Sequence, residues 1–193
     1  MDYIDRYKNS SDISSRLMNH TLGVIETGKE LARIYAESVP EIEIACLYHD
    51  YAKEWDIEKL NAYVKQYQLG EDLIDNKNIS HGKVAAHYLK NNWTKELPTL
   101  EYSAKVIDGI SYHTTGKAEM SLFEMIVYVA DAIEPTRTYE GIEEIRAKSK
   151  VEIKEAFNMI LLNTVKHLES KSIKKEDIHE DTIKAIEWLK DKI

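Results

Sequence analysis

The chain has 193 residues, enough for one well-buried core, and its length alone does not require two domains. Its net charge of −8 disfavours the basic face that binding to nucleic acid or to an anionic membrane needs. Hydrophobic residues make up 43% of the chain, and there are only 7 Gly and 3 Pro. Because strand-like alternation is also scarce, this composition predicts an all-α protein without nucleic-acid or membrane partners.

The single cysteine, Cys46, cannot form an internal disulfide. The N-terminal segment is polar and mixed in charge, unlike a signal peptide, and no run approaches the ~18 apolar residues of a transmembrane helix. We therefore expect a cytoplasmic protein in which Cys46 is a small core residue.

The first half of the chain predicts three helices and a loop. Apolar residues recur at spacings of three, four and seven over 12–36, which predicts a long amphipathic helix with His20 on its apolar stripe. Pro40 suits the first turn of a second helix that continues to about Trp55. Asp56 predicts the N-cap of a third helix, ended by Gly70 and followed by a surface loop over residues 71–79.

The middle of the chain contains several residues that favour helix N-caps or end helices. Ser80 predicts the N-cap of a helix that begins at His81, and Pro98 the start of another that ends near Tyr112. The following segment, HTTGKAEM, is typical of a loop. Ser121 with Glu124 then forms a capping-box pattern that opens the apolar helix LFEMIVYVADAI, which Glu134-Pro135 stops.

Further helices are expected near 140–149, 152–171 and 180–191. Neither an internal repeat nor a linker divides the chain. We therefore predict one domain over residues 1–193, a helical bundle whose core covers about 11–140, with the C-terminal helices of 140–193 packed on it.

Four chemically active residues fall in apolar, helix-patterned settings: His20, His49, Asp50 and Asp131. A buried carboxylate is costly unless something pairs with it. Each aspartate could instead cap a backbone or pair with a basic residue, and each histidine could be a satisfied core residue. A metal ion is the simplest partner for all four, and this nitrogen and oxygen set suits Fe, Mn, Co, Ni or Zn. The sequence predicts a metal site in the core of the bundle.

Other histidines and several basic and hydroxyl residues stand near the same points. His81 and His113 are expected to hold a second metal ion or to bind or protonate a phosphate. Six neighbouring residues predict a phosphate pocket, although each could instead be an exposed surface group. They are Arg16, Lys53, Thr114, Thr115, Gly116 and Arg137. The remaining histidines, His87, His167 and His179, are expected to be structural or surface groups.

Together these residues and their flanking strings resemble the HD-domain metal-dependent phosphohydrolases, whose pattern is a histidine, a distant His-Asp pair and a later aspartate. Five strings resemble the bacterial YqeK-type branch: RLMNHTLGVIETGKELA, LYHDYAKEW, SHGKVAAHYL, ISYHTTGKAEMSLFEMIVYVADAIEPTRTYEG and IHEDTIKAIEWL. The resemblance covers about residues 11–190. It implies an HD-type bundle that hydrolyses diadenosine tetraphosphate symmetrically to two ADP.

The resemblance also implies the parts of the site. Iron would be bound by His20, His49, Asp50 and Asp131. The nucleotide site would use Lys53, His81, His113, the loop Thr114-Thr115-Gly116 and Arg137. Arg16 and His20 are expected as further phosphate contacts. The expected partner is a dinucleoside polyphosphate, which gives an ADP- or GDP-like product. The protein itself is expected to be a monomer or a homodimer.

The expected reaction is attack of a metal-bound hydroxide on an inner phosphorus. Its expected catalytic residues are Asp50, Lys53, His81 and His113, and Arg137 would help to neutralise phosphoryl charge. Two other classes of function stay open from the sequence. One is a nucleotidase or cyclic-nucleotide phosphodiesterase on the same scaffold, and the other is a non-catalytic nucleotide-binding module.

Overall fold

A computed structural model describes residues 3–8, 13–174 and 177–190 of the chain. Within these ranges it contains ten α-helices and one 3₁₀ turn, and no strand. The helices are α1 (Tyr3–Lys8), α2 (Ser15–Ile34), α3 (Val39–Tyr48), α4 (Ile57–Tyr67), α5 (Lys77–Glu96), α6 (Ala104–Tyr112), α7 (Leu122–Ile133), α8 (Ile142–Ser149), α9 (Ile153–Ser170) and α10 (Glu180–Lys190), and the 3₁₀ turn is Glu71–Leu73. The predicted all-α class is confirmed.

Helix α7 forms the centre of the bundle. All residues from Phe123 to Ala130 are buried, as expected of a helix that is hydrophobic on every side. It packs against α2, α3 and α6 on one side and against α9 on the other, and α8 and α10 in turn pack on α9. The C-terminal helices thus lie on the core as the sequence predicts, while the division of the chain into domains stays a prediction.

Most helix starts follow the predicted caps. Ser14 accepts a hydrogen bond from the Leu17 N–H at the start of α2, and Asp56 accepts one from the Lys59 N–H at the start of α4. Ser121 and Glu124 form the predicted capping box of α7. Over the described ranges, no helix combines the length and the apolar character that crossing a lipid bilayer would need.

The prediction that the second helix continues to Trp55 was wrong. Helix α3 ends at Tyr48, and His49 and Asp50 lie in the turns that follow it. Hydrogen bonds between residues three apart, such as that from the Lys53 N–H to the Asp50 carbonyl at 2.9 Å, replace the helical pattern. The apolar periodicity continues through these turns because Ala52 and Trp55 are also buried, so the pattern alone does not reveal the helix end.

Two other helices begin at different residues from those predicted, one earlier and one later in the chain. Helix α5 begins at Lys77 instead of His81, because the carbonyl of Asn76 accepts the N–H groups of Ile79 and Ser80 and so adds a turn. Ser80 is therefore buried within the helix and does not cap it. The next helix, α6, begins at Ala104, after a turn that follows Pro98.

Candidate metal centre

Two helices and the turn after a third bring the predicted ligands together in space. His20 lies on α2, Asp131 lies on α7, and His49 with Asp50 follows α3. The His20 Nε2 atom is 3.1 Å from Asp131 Oδ1 and 3.7 Å from Asp50 Oδ2. The His49 Nε2 atom is 3.5 Å from the same Asp50 oxygen and 3.8 Å from Asp131 Oδ1. We call this set the Asp131 face: His20, His49, Asp131 and the Oδ2 atom of Asp50.

The second oxygen of Asp50 points to another pair of histidines. Asp50 Oδ1 is 3.0 Å from His81 Nε2 and 3.3 Å from His113 Nε2. The two imidazole nitrogens are 3.1 Å apart. We call this set the His81 face: His81, His113 and the Oδ1 atom of Asp50. One buried carboxylate therefore connects two groups of potential ligands.

All four histidines present the same nitrogen to the cluster. Nδ1 of His49, His81 and His113 lies 2.7–3.0 Å from the backbone carbonyl of Cys46, Lys77 and Ile110, respectively. Because a carbonyl can only accept, each Nδ1 must carry the proton, and in the neutral ring Nε2 is then an unprotonated lone pair. This arrangement is typical of histidines that bind a metal through Nε2.

Several atoms of the cluster lack the hydrogen bond that burial demands. His20 Nε2, His49 Nε2 and Asp50 Oδ1 are buried and have no hydrogen-bond partner within the described residues. In their neutral form the imidazole nitrogens face carboxylate oxygens, so that acceptors face acceptors. Such an arrangement is costly unless a cation lies between them. The residues therefore fit a divalent metal ion.

The electrostatics of the cluster point to the same need for positive charge. Burial would raise the pKa of Asp131, but His20, His49 and Arg137 hold it well below its usual value. Burial lowers the pKa of His49, yet the carboxylates of Asp50 and Asp131 outweigh it and raise it overall. Burial lowers the pKa of His113 to about 4, so its ring is neutral at pH 7. Burial would also raise the pKa of Asp50, but the surrounding histidines hold it well below its usual value. Both aspartates are thus ionised and available as ligands.

Glu134 is the main residue of the site that the sequence analysis missed. Its side chain is fully buried, and its Oε1 atom lies 3.0 Å from His20 Nδ1. It also accepts hydrogen bonds from the backbone N–H and the hydroxyl of Thr136. These hydrogen bonds hold its pKa below the usual value although burial opposes this, so it orients His20 as a carboxylate. Its position three residues after Asp131, one helical turn away, was the available signal.

Two glycines leave room for this packing. A Cβ atom on Gly23 would lie 2.7 Å from Glu134 Oε2, and one on Gly82 would lie 2.9 Å from His113 Cε1. Both distances are shorter than a carbon atom tolerates. The small residues beside His20 and His81 therefore allow their partners to approach closely.

Three of the predicted phosphate-binding residues border the cluster. Lys53 Nζ is 3.4 Å from Asp50 Oδ1 and 3.2 Å from His81 Nε2. The Thr114 hydroxyl is 3.1 Å from His113 Nε2. Arg137 Nη2 is 2.6 Å from Asp131 Oδ1. Cationic or hydroxyl donors thus stand at the edge of both faces.

The other predicted phosphate contacts are engaged elsewhere or exposed. The Thr115 hydroxyl donates to the Gly116 carbonyl, and the Gly116 N–H donates to the Tyr112 carbonyl. The Thr115 carbonyl accepts from the Thr182 hydroxyl on α10, so this loop is braced by the C-terminal helix. Arg16 is exposed and forms no ion pair within the described residues.

The remaining histidines lie apart from the cluster. His87 contacts the Tyr63 hydroxyl, His179 contacts Asp72, and His167 is exposed at the end of α9. These placements agree with the structural or surface positions that the sequence predicts. Cys46 is fully buried in the core, and burial raises the pKa of its thiol, so it is present as the neutral thiol.

Comparison with known proteins places the cluster in a family context. The HD domain family matches residues 17–136, a range that includes His20, His49, Asp50, His81, His113, Asp131 and Glu134. Two relatives are named symmetrical bis(5'-nucleosyl)-tetraphosphatase. The one from Halalkalibacterium halodurans is 32% identical over 88% of this chain and 87% of its own length. The one from Bacillus subtilis is 30% identical over the same shares.

A solved structure shares the whole architecture. It is the crystal structure of a Clostridium acetobutylicum protein described as a predicted HD superfamily hydrolase involved in NAD metabolism. The TM-score is 0.85 at 32% sequence identity, and the match covers 99% of this chain and 96% of that one. The likeness therefore extends beyond the matched domain to the C-terminal helices.

Proposed function

Because this chain belongs to the HD domain family and, within it, to the family of the symmetrical bis(5'-nucleosyl)-tetraphosphatases, we propose that it hydrolyses diadenosine tetraphosphate to two ADP. The observation that carries the proposal is the convergence of four imidazole Nε2 atoms on the two oxygens of Asp50. A cluster of this composition supports the metal-dependent hydrolysis of a phosphoanhydride.

A divalent metal ion fits the Asp131 face, with His20, His49, Asp50 and Asp131 as its ligands. Iron is our proposal for its identity, with manganese, cobalt, nickel and zinc as alternatives that the same ligands accept. A bound metal supplies two effects here, a lower pKa for a water molecule and polarisation of a phosphoryl oxygen. Glu134 keeps His20 in the tautomer and orientation that the ligand role requires.

The His81 face is proposed to hold a second cation, with outer-sphere contact to phosphate as the alternative. Its atoms Asp50 Oδ1, His81 Nε2 and His113 Nε2 belong to one group whose ligand atoms all lie within 4.8 Å of one another. His113 is neutral at pH 7, which suits a ligand better than a proton donor. Because Asp50 contributes one oxygen to each face, it would help to hold both cations.

The basic and hydroxyl residues at the edge of the cluster are proposed to bind the substrate's phosphates. Lys53 and Arg137 neutralise charge on the phosphoryl oxygens and on the departing diphosphate. Thr114 donates its hydroxyl to a phosphoryl oxygen. Thr115 and Gly116 set the shape of this loop. Arg16, an exposed residue one turn before His20 on α2, is proposed to add positive charge near the phosphates.

Product analysis tests the proposed reaction. The metal-loaded protein, incubated with diadenosine tetraphosphate, should yield ADP as the sole nucleotide product, and a chelator should abolish turnover. In oxygen-18 water, the label should enter only one of the two ADP molecules, because one water attacks one phosphorus per turnover. AMP with ATP would place the attack at an outer phosphorus and contradict the proposal. Release of inorganic phosphate or a linear monophosphate from other substrates would favour a nucleotidase or a cyclic-nucleotide phosphodiesterase.

Tight nucleotide binding without turnover under any metal would favour the non-catalytic binding module.

The cellular location and the oligomeric state of the protein form part of the same proposal. We propose a cytoplasmic location, which the single free cysteine, Cys46, supports. We also propose a monomeric or homodimeric state. Size-exclusion chromatography with light scattering distinguishes the two oligomeric states.

A further inference from the structure

A large groove lies beside the metal centre, and apart from Arg137 its residues take no part in the roles described so far. It has a volume of about 970 Å³ and is bordered by the end of α7, the segment after it, α8 and α9. Clefts of about 300–1,000 Å³ are the usual size of small-molecule sites. The groove is therefore large enough for a ligand of nucleoside size.

The groove begins where the metal centre ends. Ala132 and Arg137 belong to its lining. Ala132 directly follows Asp131 in the sequence, and the Arg137 side chain contacts the Asp131 carboxylate. Arg137 donates from Nη2 to Asp131 Oδ1 and from Nε to the Asp131 carbonyl, at 2.6 and 3.0 Å. A guanidinium group has five N–H donors, so further donors remain for a phosphate at this junction. A ligand whose phosphate lies at the metal centre can thus extend past Arg137 into the groove.

The interior of the groove combines apolar surface with hydrogen-bonding groups. Met159 and Ile160 supply apolar surface from α9, and Tyr139 is 37% exposed. On the same helix, the Asn163 side chain has no hydrogen bond or ion pair within the described residues. A nucleobase has flat faces that pack on apolar and aromatic groups, and edges that bind an amide.

The charge of the groove argues against a second polyphosphate site. Its lining holds two cationic residues, Arg137 and Lys166, and two acidic residues, Glu140 and Glu144. Their formal charges cancel, and Arg137 stands at the junction with Asp131. Carboxylates also accept hydrogen bonds from ribose hydroxyls, whereas they repel phosphates.

We propose that this groove binds one nucleoside half of the substrate, with the base on the α9 side and the phosphates beyond Arg137 at the metal centre. The assignment rests on the proposed function, since it takes the phosphate chain to lie at the His/Asp cluster. Tyr139 and Asn163 are its specificity-determining residues. Tyr139 packs on the base or ribose, and Asn163 hydrogen-bonds to the edge of the base.

Direct binding measurements test the assignment independently of turnover. ADP and methylenediphosphonate, a diphosphate analogue without a nucleoside, are titrated by calorimetry into the metal-loaded full chain. In Asn163→Leu and Tyr139→Ala, the Kd of ADP should rise about tenfold, the size of a lost hydrogen bond or packing contact. The Kd of methylenediphosphonate should stay within about twofold, because its contacts are at the metal centre.

A matched control lies on the same helix. Asn158→Leu makes the same chemical change on α9 outside the groove lining and should leave both affinities unchanged. Melting curves identify any variant that is unfolded, and Tyr139→Ala tests the groove from another segment if Asn163→Leu is unstable.

The outcomes separate the groove from the reaction. Unchanged ADP affinity in both folded groove variants would overturn the assignment even if the wild-type protein cleaves diadenosine tetraphosphate. An equal loss of affinity for ADP and methylenediphosphonate would also overturn it, since the variants would then act on the metal centre. Selective loss of ADP binding in a protein without turnover would support the groove and refute the proposed reaction.

Discussion

The two faces of Asp50 share one carboxylate but differ in charge. The Asp131 face adds a second carboxylate to two imidazoles and is supported by the buried Glu134. The His81 face has only the Asp50 oxygen with two imidazoles, and the ammonium group of Lys53 lies 3.4 Å from that oxygen. A cation on the Asp131 face therefore meets more negative charge, and one on the His81 face competes with Lys53. The two similar ligand sets should therefore bind metal with unequal affinity.

The largest effect is expected from the residue that both faces share. Asp50→Ala should remove metal from both faces and reduce activity by more than the roughly 100-fold that losing an outer-shell partner costs. Elemental analysis and steady-state kinetics measure this. Asp108→Ala, which removes an exposed carboxylate on α6, is the control and should behave like the wild type. Retention of full metal content in Asp50→Ala would contradict the role of Asp50 in both faces.

The next prediction separates the two faces. Asp131→Ala should lose the tightly bound ion, whereas His113→Ala should keep it and lose only the weaker one, leaving about one ion per chain. Metal content is measured after passage over a series of chelating resins of increasing affinity for the metal. If the wild-type protein holds a single ion and His113→Ala retains it, the His81 face contacts phosphate instead of metal.

Support of the Asp131 face by Glu134 predicts a smaller effect. Glu134→Ala should weaken metal affinity by about 10- to 100-fold, because His20 loses the acceptor that fixes its orientation. Glu134→Gln keeps an acceptor oxygen in the same shape and should lose less. Competition with a metal-binding dye measures both affinities. Equal losses in the two variants would show that negative charge matters here more than orientation.

The smallest effect is expected from Arg137, which borders the Asp131 face but is not a metal ligand. Arg137→Ala should raise the KM for diadenosine tetraphosphate about tenfold, the size of one charge-assisted hydrogen bond, while metal content stays normal. Arg33→Ala removes an exposed arginine at the end of α2 and provides the control. Loss of metal with unchanged turnover per bound ion would reassign Arg137 to support of Asp131.

Much of the fold was predictable because local signals and tertiary packing agree. The caps at Asp56 and Ser121 and the stop at Glu134-Pro135 act within a few residues, so the sequence reveals them directly. The end of α3 was not predictable, because buried residues continue the apolar pattern through the turns that carry His49 and Asp50. The extra turn of α5 was missed for a related reason. Serine is a favoured N-cap residue, but Ser80 is buried inside the helix.

The residue types of the site are evident from the sequence: the histidines and aspartates in apolar settings, and the family pattern that unites them. Which of their atoms meet depends on how the helices pack. This packing directs the two oxygens of Asp50 to different histidine pairs, ties each Nδ1 to an acceptor, and buries Glu134 behind His20. The physical reason is that helical periodicity fixes the side of a helix a residue occupies, whereas packing between α2, α5, α6 and α7 fixes the distances between helices.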